Sequence, residues 1–144
     1  MVPSVVECRT MAGPERYDAF SLMKQFRPDE ATLGDALSLF VDRPDYGFIW
    51  LAYADGIPVG CISVAFGIST ASGGVLAVLR DLWVDPTYRR KGVGTAMLLT
   101  LQARLDQLDV RETEVAAEDE PGLRALLTAR GYAARSGTVF SRRR

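Results

Sequence analysis

The stretch LRDLWVDPTYRRKGVGTAMLLTLQARL, residues 79–105, decides the fold because three local patterns follow one another in it. Branched and apolar residues up to Val84 predict the end of a strand, which Asp85 and Pro86 terminate. From Val93 onward the apolar residues recur at helical spacing, which predicts an amphipathic helix. A short turn rich in cations therefore joins a strand directly to the start of a helix.

The junction between this strand and this helix has the features of an anion site. The first turn of a helix leaves backbone N–H groups without partners, and the helix dipole adds partial positive charge. Gly92 and Gly94 allow a tight turn and a close approach of phosphate oxygens. Arg89, Arg90 and Lys91 add positive charge at the same place. We therefore expect a diphosphate rather than a lone carboxylate.

Three diphosphate ligands and one explanation without a ligand compete for this turn. A nucleoside triphosphatase loop is excluded, because its lysine follows the glycines whereas Lys91 precedes Gly92. A dinucleotide-binding loop has a third glycine where Met97 stands, and it does not follow a meander of antiparallel strands. Coenzyme A is the third ligand, and a solvated basic turn is the alternative without a ligand.

The rest of the chain predicts a single α/β domain, residues 1–144, with a mixed, mostly antiparallel sheet flanked by about four helices. Asp55-Gly56 between two apolar runs is typical of a hairpin turn, and Ser136-Gly137 predicts a second hairpin. The predicted elements are strands at 2–10, 47–54, 57–68, 75–84 and 110–117, helices at 14–26, 29–40, from 93 and at 121–130, and a final hairpin at 132–141.

Length and composition exclude several classes of protein. The 144 residues suit one domain, and 17 basic against 18 acidic side chains lack the positive excess of a general nucleic-acid binder. The chain contains no histidine, which excludes a histidine-based catalytic triad and a His-ligated metal, and no metal is expected. Because neither a signal peptide nor a long apolar stretch is recognisable, we expect a cytoplasmic protein with no membrane partner.

Two cysteines and four aromatic side chains are assigned to the interior. Nothing in the sequence indicates an oxidising compartment, so the cysteines are expected to be buried free thiols. Aromatic residues on strands belong to a sheet core more often than to a ligand pocket. These residues are Cys8, Cys61, Tyr46, Phe48, Trp50 and Trp83.

The quoted stretch closely resembles the signature of the GNAT superfamily of acyl-CoA-dependent N-acyltransferases. The core pattern of that family is [QR]-x-x-G-x-[GA], and Arg89, Gly92 and Gly94 match it. The predicted order of strands and helices also follows the family. The resemblance implies acetyl-CoA as the co-substrate. The residues that it assigns to binding of this co-substrate are Leu82, Trp83, Val84, Arg89, Arg90, Lys91, Gly92, Val93, Gly94 and Thr95.

The resemblance leaves the catalytic base open. Main-chain N–H groups of residues 82–84, beside a bulge, are implied to stabilise the oxyanion of the tetrahedral intermediate. Arg80 stands where polyamine-acetylating relatives carry a glutamate, which argues against a polycationic acceptor. Asp81 keeps an acid of the family and is a candidate base, with a structural carboxylate as the alternative. Glu114 on the next strand is a second candidate.

The catalytic acid is equally open. Many relatives carry a tyrosine as proton donor where Leu127 stands in this sequence. Tyr132 is a catalytic candidate here, with core packing as its alternative. Tyr88, Tyr53 and water are further candidates for the donor.

These observations predict an N-acetyltransferase that acylates a primary amine of a small molecule or peptide. Direct attack within a ternary complex is expected, because Cys61 lies in a buried strand and no other nucleophile is placed for a covalent intermediate. A non-catalytic acyl-CoA-binding module is the alternative, since Arg80 and Leu127 depart from the family pattern. The resemblance and the exposed sheet edges predict a homodimer, and no nucleic-acid partner is expected.

Overall fold

The computed structural model describes residues 5–144 and shows a five-stranded sheet with helices on both faces. The strands follow chain order across the sheet; the first three neighbouring pairs are antiparallel and the last is parallel. This is the predicted mixed α/β architecture. The elements are β1 (Val6–Thr10), α1 (Arg16–Met23), α2 (Glu30–Asp42), β2 (Gly47–Ala54), β3 (Ile57–Ser69), β4 (Gly74–Val84), α3 (Val93–Gln107), β5 (Val110–Val115) and α4 (Pro121–Ala129), with short 3₁₀ turns at Gly13–Glu15 and Pro86–Tyr88.

The β2–β3 hairpin forms at the predicted turn. Asp55 and Gly56 have φ of +50° and +85°, as a type I′ turn requires at both central positions. Glycine takes such a φ freely, and aspartate does so at a smaller cost than most residues. The turn pairs Ala54 with Ile57 and thereby sets the register of the two central strands.

The core has two layers because helices cover both faces of the central strands. Alternate residues of β2 point to opposite faces, so Ile49 and Leu51 pack against α1 and α2, whereas Trp50 and Ala52 pack against α3. No helix among the described residues is long and apolar enough to span a bilayer. The buried stripe of α3 matches the predicted helical spacing and consists of Val93, Met97, Leu98, Leu101 and Leu105.

β4 and β5 separate partway along β4, and this separation opens one end of the sheet. Their parallel pairing covers Val75 to Leu79, and one bond further along joins the Ala116 N–H to the Leu79 carbonyl at 2.9 Å. β4 continues beyond this point, paired with β3 as far as Val84. Residues 80–84 therefore have a strand edge that no strand of the described part of the chain covers.

The predicted final hairpin is wrong. Residues 132–144 contain neither strand nor helix, and the Ser136-Gly137 pair does not turn the chain back. Gly137 has φ of +146°, and Ser136 does not have the positive φ that a type I′ turn needs. Arg135 donates instead to Glu114 of β5 at 3.0 Å. This side-chain contact connects the segment to β5 where a hairpin was predicted.

Smaller corrections concern an aromatic residue and the ends of two elements. Tyr46 was expected in the core but is 52% exposed, because it precedes β2 and lies against the Arg43 guanidinium. Phe48 and Trp50 are buried as predicted, and Trp83 is half-buried. The first helix ends at residue 23 rather than 26. Residues 2–4 of the predicted first strand lie outside the described residues.

Both cysteines are free, as predicted. Cys8 packs on the α3 face of the sheet and Cys61 on the α1–α2 face, so the sheet separates the two thiols. Cys61 is fully buried, and this burial raises the pKa of its thiol far above the usual value. Cys8 is only half-buried, and partial desolvation raises the pKa of its thiol in the same direction.

Candidate functional site

A β-bulge lies in β4 beside the opening. Trp83 pairs with Cys61 and Arg80 with Ser63, so two β4 residues, 81 and 82, stand opposite one β3 residue. Asp81 has φ of +54°, a left-handed conformation that aspartate tolerates better than most residues. Such a bulge breaks the ladder and redirects backbone groups. The bulge that the family resemblance implied is therefore present.

The Asp81 carboxylate is held on both sides. One oxygen accepts a hydrogen bond from the Ser63 hydroxyl at 2.8 Å, and the other accepts one from Arg27 at 2.5 Å. The side chain is only 15% exposed. Both oxygens are therefore occupied in a contact that fastens the segment between α1 and α2 to the bulge. This geometry favours the structural explanation of Asp81 over a general base.

The open edge of β4 ends at Val84. The Asp85 N–H donates to Val59 of β3 at 2.8 Å, so the N–H and carbonyl of the preceding residue, Val84, face the opposite edge. Arg89 donates its Nε hydrogen to that carbonyl at 2.9 Å. The side chain of Arg89 thus links the basic turn to the strand end.

The start of α3 is left without a side-chain cap. Gly92 is the N-cap residue, with φ of +83°, and it offers no side chain to the first turn. The first intrahelical bond runs from the Ala96 N–H to the Gly92 carbonyl at 3.0 Å. The N–H groups of residues 93–95 therefore have no intrahelical partner. A Cβ atom added to Gly92 would meet nothing within 4 Å, so the space beside this N-cap residue is open.

Cationic and aromatic side chains surround this helix start. The Arg89 guanidinium lies 4.5 Å from the centroid of the Trp83 ring, and Lys91 Nζ lies 5.4 Å from that of Tyr88. Trp83 also contacts the segment after α1, because the centroid of the Phe26 ring lies 5.0 Å from the centroid of the Trp83 ring. Arg90 is exposed and adopts φ of +62°. The turn, the strand end and the segment after α1 thus form one connected cluster.

The predicted binding residues come together in this cluster. Leu82 and Val84 pack against the α3 side of the sheet, where Val93 is buried, and Gly94 lies near Val84. Trp83 points to the opposite face with Asp81. The remaining predicted residues, Arg89, Arg90, Lys91, Gly92 and Thr95, occupy the turn and the first helical turn.

The three predicted catalytic residues are not brought to one point. Glu114 pairs in register with Val78 and therefore shares the Asp81 face of the sheet, but its carboxylate accepts a bond from Arg135. Tyr132 lies on the other face, where its hydroxyl accepts a long hydrogen bond from Gln102 of α3 at 3.4 Å. Burial raises the pKa of the Tyr132 hydroxyl. Tyr132 therefore lies on the opposite face of the sheet from Asp81 and Glu114.

Sequence reasoning missed Arg27, Phe26 and Ser63. Arg27 and Asp81 are 54 residues apart and Ser63 and Asp81 are 18 apart, so no local pattern links them. The pairing register of β3 and β4 brings Ser63 near the bulge. A lone arginine just before Pro28, at the end of a predicted helix, was the one available signal for Arg27.

Comparison with known structures shows the same fold in acetyltransferases. The aminoglycoside N-acetyltransferase AAC(6')-Iy, solved with coenzyme A, aligns with a TM-score of 0.81 at 19% identity over 100% of this chain and 99% of that one. The same enzyme with the bisubstrate analogue CoA-S-monomethyl-acetylneamine aligns with a TM-score of 0.79 at 22% identity, covering 98% and 99%. An integron cassette protein from the Cole Harbour Salt Marsh metagenome aligns with a TM-score of 0.81 at 24% identity, covering 94% and 89%.

Sequence comparison identifies the family of this chain. No curated protein matches the sequence. The family model described as acetyltransferase (GNAT) family matches residues 14–132, which is most of the chain and includes the bulge, the basic turn and α3. The chain therefore belongs to the GNAT acetyltransferase family.

Proposed function

We propose that this protein transfers an acetyl group from acetyl-CoA to a primary amine of a small molecule or peptide. The observation that carries the proposal is the uncapped start of α3 beside the open edge of β4. Three backbone donors without an intrahelical partner, the positive end of the helix dipole and a basic turn meet at this helix start, and the space beside Gly92 is open. Such a site suits the diphosphate of acetyl-CoA.

The start of α3 and the open edge of β4 would contact different parts of acetyl-CoA. The N–H groups of residues 93–95 and the side chains of Arg90 and Lys91 would hold the diphosphate. The open edge of residues 82–84 would pair with the amide groups of the pantetheine arm. Arg89 would act mainly through its bond to the Val84 carbonyl and its contact with Trp83, because these contacts fix the turn relative to the strand.

The chemistry needs an uncharged amine, an oxyanion donor and a proton for the departing thiolate. The amine nitrogen attacks the thioester carbon, the tetrahedral intermediate loses the thiolate, and the proton from the amine ends on the sulfur, directly or through water. A backbone N–H at the bulge, residues 82–84, is the proposed oxyanion donor. Holding the two reactants side by side supplies several kcal/mol without an acid or base side chain.

A direct route fits this chain better than a covalent intermediate. Cys61 is buried, and burial raises the pKa of its thiol, so the thiolate needed for attack is disfavoured. Its sulfur also points at the Asp81 carbonyl at 3.5 Å, within the sheet rather than into the opening. The acyl group would therefore pass straight from sulfur to nitrogen.

The acceptor is proposed to approach from the α1–α2 face. Phe26, Arg27 and Trp83 lie on this side of the bulge, and Arg80 shares the face by its register with Ser63. One of the structural relatives named above was solved with the bisubstrate analogue CoA-S-monomethyl-acetylneamine, which supports a small-molecule amine as one acceptor class. A cytoplasmic location also stays a proposal.

Non-catalytic acyl-CoA binding is the second candidate, and specific contacts favour it. Asp81 and Glu114 both contact arginines, and Leu127, which stands where many relatives carry a tyrosine proton donor, packs against the core. A protein of this kind would bind acetyl-CoA through the same turn without turning it over.

Two measurements separate these functions. Calorimetry with acetyl-CoA should show micromolar binding, and a thiol-release assay across a broad panel of primary amines should show turnover with at least one. Binding without turnover on any amine would support the non-catalytic module. Absence of binding by the folded protein would refute the coenzyme A assignment itself.

A further inference from the structure

Arg80 lies on the proposed acceptor side of the bulge. Its Cα atom pairs in register with Ser63, and Trp83 pairs with Cys61. Because Ser63 and Cys61 are two residues apart on β3, their partners on β4 point to the same face of the sheet. Cys61 and Trp83 belong to the core layer beneath α1 and α2. The side chains of Arg80 and Trp83 therefore share this face, on either side of Asp81.

The carboxylates of β4 and β5 each have a cation of their own. Asp81 forms an ion pair with Arg27. Glu112 and Glu114 share the same face by their register with β4, and both contact Arg135, at 3.9 Å and 3.0 Å. The two strands contain no other acid. These carboxylates are therefore already neutralised by arginines outside the two strands.

Arg80 is the one cation of β4, and its side chain has no such partner. Within residues 5–144, neither a hydrogen bond nor an ion pair holds its guanidinium, which is exposed. A guanidinium carries five N–H donors and no acceptor, in a planar arrangement that matches a carboxylate or a phosphate. The acceptor side of the bulge thus has a positive donor that no carboxylate of the described chain neutralises.

A second donor without a partner lies beside the bulge. The Nε1 atom of Trp83 is buried, and no described residue accepts its hydrogen. Buried indole N–H groups usually have an acceptor, so this one calls for an explanation. Trp83 follows Arg80 by three residues, and a strand rises about 3.3 Å per residue, so their Cα atoms are at most about 10 Å apart. One anionic group with two or more oxygens can therefore accept from both side chains.

We propose that the acceptor amine carries an anionic group, a carboxylate or a phosphate, that binds Arg80 and accepts a hydrogen bond from Trp83 Nε1. Because the Nε1 atom is buried, this second contact forms when a neighbouring side chain shifts. The inference rests on the proposed function, since it describes the acceptor of that reaction. A site that offers only donors favours a ligand that brings acceptor oxygens, and it disfavours a polycationic amine, which would place like charge beside Arg80.

Matched pairs of amines test the anionic group in the thiol-release assay. Glycine, β-alanine and γ-aminobutyrate are each compared with their carboxamides, and phosphoethanolamine is compared with ethanolamine. The carboxylates and the phosphate distinguish the two kinds of anion. Because the two amines of a pair differ in basicity, the decisive quantity is the ratio of their kcat/KM values in wild type relative to the same ratio in a variant.

Arg80→Gln should lower this ratio by about tenfold or more for at least one pair, because a charged hydrogen bond to the anion is lost. Trp83→Phe keeps the ring and removes only the N–H, and it should lower the ratio by about threefold. Arg111→Gln is the matched control, since Arg111 is also exposed but alternates with Glu112 and Glu114 and so lies on the opposite face. It should leave the ratio unchanged.

Failure of this proposal is distinguishable from failure of the proposed function. Turnover of amines with a ratio that neither Arg80→Gln nor Trp83→Phe changes would overturn the anionic acceptor and leave the acetyltransferase standing. If no amine is turned over, calorimetry of the same pairs, with and without coenzyme A, decides. Tighter binding of an anionic amine than of its neutral partner, lost in Arg80→Gln, would support the anion site without catalysis. Equal or absent binding would overturn it.

Discussion

Two helix N-termini in this fold are built in opposite ways. At α2, the Asp29 side chain accepts a hydrogen bond from the Thr32 N–H at 3.1 Å, and Glu30 adds negative charge to the first turn. At α3, Gly92 has no side chain and the first turn carries no acid. Both helices have the same dipole and the same unpartnered donors. The side chain of Asp29 caps the start of α2, whereas no side chain caps the start of α3.

The charge around each helix start completes this contrast. The Thr32 backbone N–H keeps the pKa of the Asp29 carboxyl below its usual value, so the cap stays ionised at neutral pH. Three cations, residues 89–91, precede the start of α3. The start of α2 thus carries its own carboxylate, whereas the start of α3 carries cations and no carboxylate. The contrast supports the proposed diphosphate site at the start of α3.

Replacing Gly92 by aspartate would place a carboxylate at the α3 start, as Asp29 does at the α2 start, and we expect the largest effect from it. The new carboxylate would add bulk and negative charge beside the first turn and repel the diphosphate, weakening acetyl-CoA binding by about 100-fold or more. Calorimetry measures the change.

Gly56→Asp is the matched control for this substitution. Gly56 has φ of +85°, close to the +83° of Gly92, and an added Cβ there also meets nothing within 4 Å. Any loss that comes only from backbone strain should appear in both variants. Equal weakening of acetyl-CoA binding by Gly56→Asp and Gly92→Asp would remove the case for a diphosphate at α3.

Two substitutions of Arg89 separate the effect of its charge from the effect of its contacts with Val84 and Trp83. Arg89→Ala should weaken acetyl-CoA binding by about tenfold, because the Val84 carbonyl loses its charged donor and the turn loses its support on Trp83. Arg89→Lys keeps the charge but loses the Nε bond and the planar contact. Lysine should therefore resemble alanine. If lysine restores wild-type affinity, Arg89 acts through charge and its bond to the strand end is incidental.

Features set by neighbouring residues were predictable from the sequence. The Asp55-Gly56 turn, the start of α3 at Val93 and its buried stripe each depend on residues close together in the chain, and all three predictions are confirmed. The glycine at the start of α3 and the cationic turn before it are also set by neighbouring residues. The part of the cluster proposed to bind acetyl-CoA was therefore visible in one stretch of about 25 residues.

Features set by distant residues were not predictable. The Arg27–Asp81 contact joins residues 54 apart and depends on how α1 docks against the sheet. The hairpin predicted at Ser136-Gly137 is wrong, and Arg135 instead contacts Glu114, which is 21 residues away and which no local pattern links to it. The contacts on which the proposed acceptor side rests are therefore visible only in the folded structure.

Asp81 tests whether the acceptor side of the bulge is structural or catalytic. Asp81→Asn keeps tolerance of the positive φ and an oxygen for the Ser63 hydroxyl, and loses only the ion pair with Arg27, whose side chain is 58% exposed. Turnover should fall by less than about fivefold. A fall of about 100-fold or more with a changed pH–rate profile would instead identify Asp81 as the base.

Removing the N-cap side chain of α2 should have the smallest effect, and it should change the stability of the protein rather than acetyl-CoA binding. Asp29→Ala removes the acceptor for the Thr32 N–H and should lower the melting temperature by about 2–4 °C at pH 7, with acetyl-CoA affinity unchanged. Because the folded-state pKa of Asp29 is lowered, its stabilisation is present above about pH 4 and is lost as the pH falls through that lowered pKa. The difference in melting temperature between wild type and variant should therefore shrink in acid.

Asp35→Ala, at an exposed position within the same helix, is the control and should not show this pH dependence. A pH-independent difference for Asp29→Ala would mean that the carboxylate does not cap α2, and that the two helix starts differ less than their hydrogen bonds indicate.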